Sequence, residues 1–439
     1  MSTRAFRVGL VLILALALVV RVALAERYEE IDPVTDALDY DRHAASIAEG
    51  HGYPVSMATG EPGGPSALRP PGYPYFLGAV YKLSGTDDVR KRWSYARAAQ
   101  ALLGTAVVGL LALIALQLWG RREALVAGGM AAVYPPLLLS GTALLTEPLF
   151  MMLALAGVAV ILHYRGRDDR ARWLILAGVL AGLAALTRAN GVVLIAVLAL
   201  GAWIVRPRLS WRSLAAPAIV AASAALVIAP WTIRNASELD AFVPVSTQAG
   251  FALIGQYNQY SAENRATWIA PWDAPHVEHL FFRDEPLGEV ELERRLRERA
   301  IDYAIEHPAH IAASLFWNGL RYLHLPPGDA LRDVEDEAAW SGEPPTLAKV
   351  SVFAFWALLP AMVLGAFTPA GRSIPLFVWI TPALLVLSTV FVVALQRYGV
   401  PVDIFLILIA TPAVVSTWDR LFGRPADVHD RAACGWLRD

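Results

Sequence analysis

Six short segments hold most of the groups in this 439-residue chain that could do chemistry. They are TDALDY with Asp36, Asp39 and Tyr40, RPPGYPYF with Arg69 and Tyr73, LTEPLF with Glu147, LTRANG with Arg188, PWTIRN with Arg234, and LQRYGVP with Arg397 and Tyr398. All fall at one end of a series of long apolar runs. A carboxylate kept partly out of water can take the proton of a hydroxyl as a general base. Guanidiniums at a bilayer surface offer the forked donors that neutralise a phosphate. Together such groups could let a hydroxyl attack a sugar carbon while a lipid-linked phosphate departs. Each residue alone has a plainer use. Asp36 can cap a surface helix, Glu147 suits a helix N-terminus followed by Pro148, and interfacial arginines often only snorkel. Their gathering at one face is what argues for a site.

The elements that must position them follow from composition. The chain is 56% hydrophobic and 17% charged, with mean hydropathy +0.46. That is the balance of a polytopic membrane protein. A net charge of −2 with no basic stripe gives no sign of a nucleic-acid partner. The single cysteine, Cys434, rules out an intrachain disulfide framework and a cysteine-based zinc site. There is no P-loop, which argues against an ATP-driven pump.

A spanning helix needs about 20 apolar residues. Ten runs approach that length: 6–25, 97–119, 122–140, 144–164, 171–187, 190–205, 213–232, 349–367, 374–394 and 400–418. The fold class expected is therefore an all-α polytopic membrane protein with roughly ten transmembrane helices. Basic residues mark alternate connections: Arg4 and Arg7, Arg121 and Arg122, the group from Arg165, Arg167 and Arg170 to Arg172, then Arg206, Arg208 and Arg212, then Arg372, and last Arg420 and Arg424. By the positive-inside rule these are cytoplasmic, as are both termini. Arg4, Arg7 and the Ala23-Leu24-Ala25 step also fit a cleavable signal peptide. A retained first span is expected, because nine further runs follow it.

The expected organisation is a first transmembrane helix (1–25), an extracytoplasmic loop (26–96), helices two to seven (97–232), a large acceptor-facing extracytoplasmic loop (233–348), helices eight to ten (349–418) and a cytoplasmic tail (419–439). Thirteen residues, 72–84, are too few to span and read as an interfacial helix, so the Arg90-Lys91-Arg92 run after it is an exception to the pattern of basic connections. The second loop carries a charged helix over 288–306 and a half-polar one over 309–324, with Pro326-Pro327 and Pro344-Pro345 as punctuation.

Other motifs weigh less. Asp39-Tyr40-Asp41 is formally D-x-D, but it is too short to be specific and lies on the wrong side for nucleotide sugars. His276 with His279 and His307 with His310 are spaced i, i+3, yet no carboxylate completes a ligand set, so no metal is expected. Asn235-Ala236-Ser237 is a glycosylation sequon in an outer loop.

The ordered set resembles the GT-C glycosyltransferases, in particular the bacterial proteins related to dolichyl-phosphate-mannose–protein mannosyltransferases and the lipid A aminoarabinose transferase. The resemblance rests on Asp36-Ala37-x-x-Tyr40, Ala48-Glu49-Gly50-His51-Gly52-Tyr53, Arg69-Pro70-Pro71-Gly72-Tyr73-Pro74, Thr146-Glu147-Pro148, Leu186-Thr187-Arg188, Pro230-Trp231-x-x-Arg234-Asn235 and Arg397-Tyr398-x-x-Pro401. It implies a metal-independent, inverting transfer from a polyprenyl-phosphate sugar, with no further cofactor, to an unidentified extracytoplasmic acceptor at the cell's inner or plasma membrane. It implies Asp36 as the catalytic base, with Arg69, Arg234 and Arg397 near the donor phosphate. Glu147, Tyr40, Asp39, Arg188, Tyr73 and Tyr398 take supporting places. Some relatives carry two adjacent acids after the first span, but here Ala37 follows Asp36. The rival reading is a transporter or flippase of a lipid-linked sugar, which would carry polar groups near the bilayer midplane and repeated halves. No half-repeat is visible here.

Overall fold

The computed structural model describes residues 1–55, 65–166, 170–203, 211–281, 287–325 and 330–422. The expectations placed on Arg167, Arg206, Arg208, Pro326, Pro327, Arg424 and Cys434 lie outside them. Among the described residues the regular structure is helical throughout.

In chain order the helices are α1 (Thr3–Arg27), α2 (Thr35–Glu49), α3 (Gly72–Ser84), α4 (Val89–Leu118), α5 (Arg121–Val133), α6 (Pro135–Leu139), α7 (Glu147–Gly166), α8 (Ala171–Thr187), α9 (Val192–Ala202) and α10 (Ala215–Leu239). The second long connection holds α11 (Gln248–Gln256), α12 (Gln259–Glu263), α13 (Glu289–Glu306), α14 (Pro308–Tyr322) and α15 (Ala330–Ser341). The chain ends in α16 (Pro345–Phe367), α17 (Pro369–Arg372), α18 (Leu376–Val390) and α19 (Gln396–Leu421). Each of the ten apolar runs is helical over most of its described length. Among the described residues six helices are long and apolar enough to cross a membrane: α1, α4, α7, α10, α16 and α19. Three shorter apolar helices cover 171–187, 189–202 and 376–390. The protein is an all-α polytopic membrane protein.

The run 122–140 is broken, for a local reason. Pro135 and Pro136 have no N–H to give to the carbonyls four residues back. Those carbonyls belong to Ala131 and Ala132, and Arg21 of α1 answers both: its guanidinium donates to Ala132 O at 3.1 Å and Ala131 O at 3.3 Å. A charged residue inside a span is thus held where a proline pair leaves backbone unpaired.

Small residues let the spans approach closely, as membrane packing favours. A Cβ on Gly178 would lie 2.4 Å from Val220 O, so α8 and α10 meet backbone to backbone. One on Gly365 would lie 1.9 Å from Ile409 O, where α16 crosses α19.

The bundle has two distinct ends. At one, Arg122 pairs with Asp419 at 2.6 Å, Arg121 donates to Met1 O at 3.1 Å, and Trp119 donates to Ala370 O at 2.9 Å. That end gathers basic connections. The other carries α2, α3 and the second long connection. There α11 and α13 share an apolar cluster with Leu68, formed by Phe251, Ile254, Tyr257, Leu292 and Leu296. The two long connections therefore fold onto each other.

Candidate active site

Asp36 is in the first turn of α2. One carboxylate oxygen accepts from Arg69 Nη2 at 2.6 Å, and the other accepts from Arg397 Nη2. Arg69 Nε donates to Asp39 Oδ2 at 2.7 Å. Residues 36, 69 and 397 are thus in direct contact across three distant stretches of chain. Burial alone would raise the Asp36 carboxyl, but the two guanidiniums outweigh it and hold the group well below the usual carboxylate range. Burial opposes the charge of Arg69, yet Asp36 and Asp39 keep it firmly protonated.

One donor in this cluster is unused. Arg397 is 5% exposed, and its buried Nε has no hydrogen-bond partner among the described residues. An unsatisfied buried donor costs about 1–3 kcal/mol, which an incoming anion would recover.

A second ion pair stands beside the first. Arg188 Nη1 donates to Glu147 Oε1 at 2.5 Å and to Thr146 Oγ1 at 2.8 Å. The Tyr398 ring links the pairs: the Arg188 guanidinium lies 4.9 Å from its centroid and that of Arg397 lies 5.2 Å away. Tyr40 lies under Arg69 at 5.3 Å and meets Tyr73 edge to face at 5.2 Å. The Tyr73 hydroxyl donates to Gln100 Oε1 of α4 at 2.6 Å, which ties this aromatic layer to the bundle. Burial pushes both phenols up, so both stay neutral.

Local sequence explains how Arg69 is aimed. Pro70 and Pro71 lead into α3, and a Cβ on Gly72 would sit 2.8 Å from Leu186 O and Thr187 Oγ1. Glycine lets α3 start against the end of α8, next to Arg188. Behind Arg69 the chain is clamped by Glu289, the first residue of α13. Its carboxylate accepts from Ser66 Oγ at 2.5 Å, Ala67 N at 2.8 Å and Thr247 Oγ1 at 2.6 Å.

Of the sequence-selected residues, Asp36, Asp39, Tyr40, Arg69, Tyr73, Glu147, Arg188, Arg397 and Tyr398 form one connected group. Arg234 stands apart from the carboxylates. Its Nη1 donates to Ser66 O at 2.8 Å and to Asn235 Oδ1 at 3.0 Å, and the guanidinium covers Trp231 at 4.9 Å. In this structure it braces the Arg69 segment from behind. The sequon is also displaced from its expected role: Asn235 is fully buried and its Nδ2 donates to Val243 O at 2.9 Å, so the amide is not presented to solvent. His310 Nε2 is within 2.8 Å of Gln256 O, a structural bond. Among the described residues no cluster of three or more His, Cys, Asp or Glu is arranged to hold a metal.

Residues 68–233 match the sequence family described as dolichyl-phosphate-mannose-protein mannosyltransferase. No curated protein sequence matches the chain. Among solved structures, the Archaeoglobus fulgidus oligosaccharyltransferase tethered with an acceptor peptide is similar over 94% of this chain, with TM-score 0.56 and 12% identity. The oligosaccharyltransferase AglB from the same organism, in complex with an inhibitory peptide and a dolichol-phosphate, is similar over 98%, with TM-score 0.55 and 13% identity. The chain has a GT-C fold. It spans about half the length of those proteins, covering 50% and 53% of them. ArnT from Cupriavidus metallidurans bound to undecaprenyl phosphate is a further match over 92% of this chain and 77% of that one, with TM-score 0.43 and 17% identity.

Sequence reasoning missed two acids beside this cluster. Glu337 on α15 accepts from the backbone N–H of Arg397 at 3.3 Å, and burial pushes its carboxyl up to about 7. Glu343, just before α16, is 4% exposed, and burial followed by Glu147 and Glu337 raises its carboxyl well above the usual range. The acid run Asp333-Val334-Glu335-Asp336-Glu337 was the available signal, but it reads as a solvated surface helix. Asp403, buried in α19 and bonded by the Tyr134 hydroxyl at 3.1 Å, was also overlooked within an apolar run.

Proposed function

We propose that the chain is an integral membrane glycosyltransferase, moving a sugar from a polyprenyl-phosphate donor to a hydroxyl outside the cytoplasm. One observation carries the reading: a half-buried carboxylate bridges two arginines, one of which keeps an unused donor, at the end of the membrane bundle that carries α2, α3 and the second long connection. The family matched by residues 68–233 supports it. So does the dolichol-phosphate bound by AglB, which shares the fold.

The donor phosphate takes the guanidinium forks of Arg69 and Arg397, including the idle Nε. Asp36 is a weak base while both arginines hold it. Once a phosphate shares those arginines, its carboxylate is freed to accept the proton of the attacking hydroxyl. The acceptor oxygen bonds to the anomeric carbon, the carbon–oxygen bond to phosphate breaks, and the leaving phosphate keeps the electron pair beside Arg69 and Arg397. Attack opposite the leaving group inverts the anomeric centre. Glu147 and Arg188 hold Tyr398 against Arg397.

The test is release of polyprenyl phosphate by the reconstituted protein from polyprenyl-phosphate mannose, glucose and arabinose-type donors. Turnover of one of them is expected. Failure of all three, with undecaprenyl phosphate also failing to bind, would remove the reading.

A further inference from the structure

A cavity of about 290 Å³ opens between α14, α15 and the start of α19, where Glu337 meets the backbone of Arg397. Glu337 and Gln396 form its wall next to the reaction centre, and Thr267, Trp268, Asp333 and Asp336 are among the residues that complete it. The Trp268 ring is fixed in place: it fills the space of the missing Cβ of Gly255, and its Nε1 donates to Ala252 O at 3.0 Å.

The hydrogen-bonding capacity of this wall is one-sided. Its donors are already used. Arg321 gives its guanidinium to Ala266 O, Asn318 Oδ1, Arg265 O and Thr267 Oγ1. Asn318 Nδ2 gives to Val390 O at 2.8 Å, and Gln396 Nε2 to Ala348 O at 3.3 Å. Burial pushes the His324 imidazole down to about 4, so it adds no charge. The acceptors are available. Asp333, within electrostatic reach of Arg321, and Asp336 are exposed on α15, and Glu337 accepts only from backbone amides at the N-terminus of α19. A ligand here must bring donors. A phosphate or carboxylate, which brings acceptors and negative charge, is disfavoured.

We propose that this cavity is the acceptor subsite and takes an uncharged, hydroxyl-rich acceptor of the sugar class, with Glu337 receiving a hydrogen bond from one of its hydroxyls. The inference rests on the transferase reading, because it gives the second substrate a place beside the first. Trp268 supplies an apolar wall for the sugar ring, and the carboxylates of α15 order its hydroxyls.

The experiment uses the full chain with Cys434→Ala and a reporter thiol at the exposed rim, Thr267→Cys. Labelling by a neutral maleimide is timed with methyl glucoside, with glucose 6-phosphate and with a basic serine peptide. Binding of undecaprenyl phosphate is measured on the same preparation. Methyl glucoside is expected to slow labelling at least threefold, and glucose 6-phosphate and the peptide to leave it unchanged. Adding Glu337→Gln should weaken the sugar's protection while undecaprenyl phosphate binding holds. Absence of sugar protection in protein that binds undecaprenyl phosphate overturns the acceptor subsite alone, as does protection by the phosphate ester or by the peptide only. Loss of undecaprenyl phosphate binding by the unsubstituted chain would instead count against the transferase reading.

Discussion

The two walls that meet at Arg397 are opposites. On one side Asp36 and Asp39 are matched by Arg69 and Arg397, and every carboxylate of that wall has a guanidinium within 2.7 Å or closer. On the other, Glu337 touches only backbone amides, and Glu343 lies among further acids. Glu343 and Asp39 are buried and Glu337 and Asp36 are half-buried, while Asp333 and Asp336 are exposed at the outer part of the acidic wall. In the proposed transfer, the paired wall stores its cations against its own acids until a phosphate arrives. In the same proposal the acidic wall holds acceptors ready for hydroxyls. A protein that bound only an anion would have no use for the second wall.

The comparison can be broken from the cationic side first. Arg397→Ala leaves Asp36 with one partner and removes the idle donor. Truncating a buried charge pair costs about 2–5 kcal/mol, so transfer should fall by about two to three orders of magnitude in a donor-turnover assay. An effect below threefold would mean that Arg397 does not meet the phosphate. Next comes the clamp behind Arg69. Glu289→Ala leaves Ala67 N–H and two hydroxyls unpaired, at about 1–3 kcal/mol. Transfer should drop by about tenfold or more, with the donor KM rising because Arg69 loses its aim, and Glu289→Asp should restore part of it.

The acidic wall predicts a pH effect. A carboxyl raised to about 7 loses its charge as pH falls through 7. Transfer should therefore decline severalfold from pH 8 to pH 6, with the loss appearing in the acceptor KM. Asp36, held well below the carboxylate range by Arg69 and Arg397, does not titrate in that window in the donor-free protein. The groups facing Glu337 are Arg397 on α19, Tyr322, Arg321 and His324 at α14, Asp333 and Asp336 on its own helix, and Glu343 after it. None of these is expected to mimic its limb if Glu337→Gln flattens the profile, and a profile unchanged in that variant would assign the limb elsewhere. The smallest effect is expected at Arg234. Arg234→Ala removes a brace to Ser66 O, so thermal stability should fall by a few degrees while donor KM moves by less than about threefold. A tenfold rise in donor KM would return Arg234 to the phosphate.

Much of this architecture is written locally. The apolar runs, the short helix after Pro70-Pro71 and the charged helix over 288–306 follow from run length and periodicity. The site residues could be selected because polar groups at the end of an apolar run are costly and stand out. What could not be read depends on tertiary contact. Glu337 lies in an acid-rich amphipathic helix whose sequence looks solvated, and only docking of α15 against α16 and α2 half-buries it. Arg234 looks like its fellow arginines at other span ends, yet the 66–69 segment comes between it and the carboxylates. Asn235 matches a three-residue pattern, but the turn to Val243 uses up its amide. Arg21 is interpretable only when α1 is seen against the proline break after α5.

The most direct test of the central claim is Asp36→Asn in the reconstituted full chain, read by donor turnover and undecaprenyl phosphate binding together. Transfer should be lost, while binding holds or tightens because Arg69 and Arg397 no longer have a carboxylate to satisfy. Full turnover in that variant, or loss of phosphate binding along with turnover, would contradict a site in which Asp36 keeps two arginines until the donor claims them.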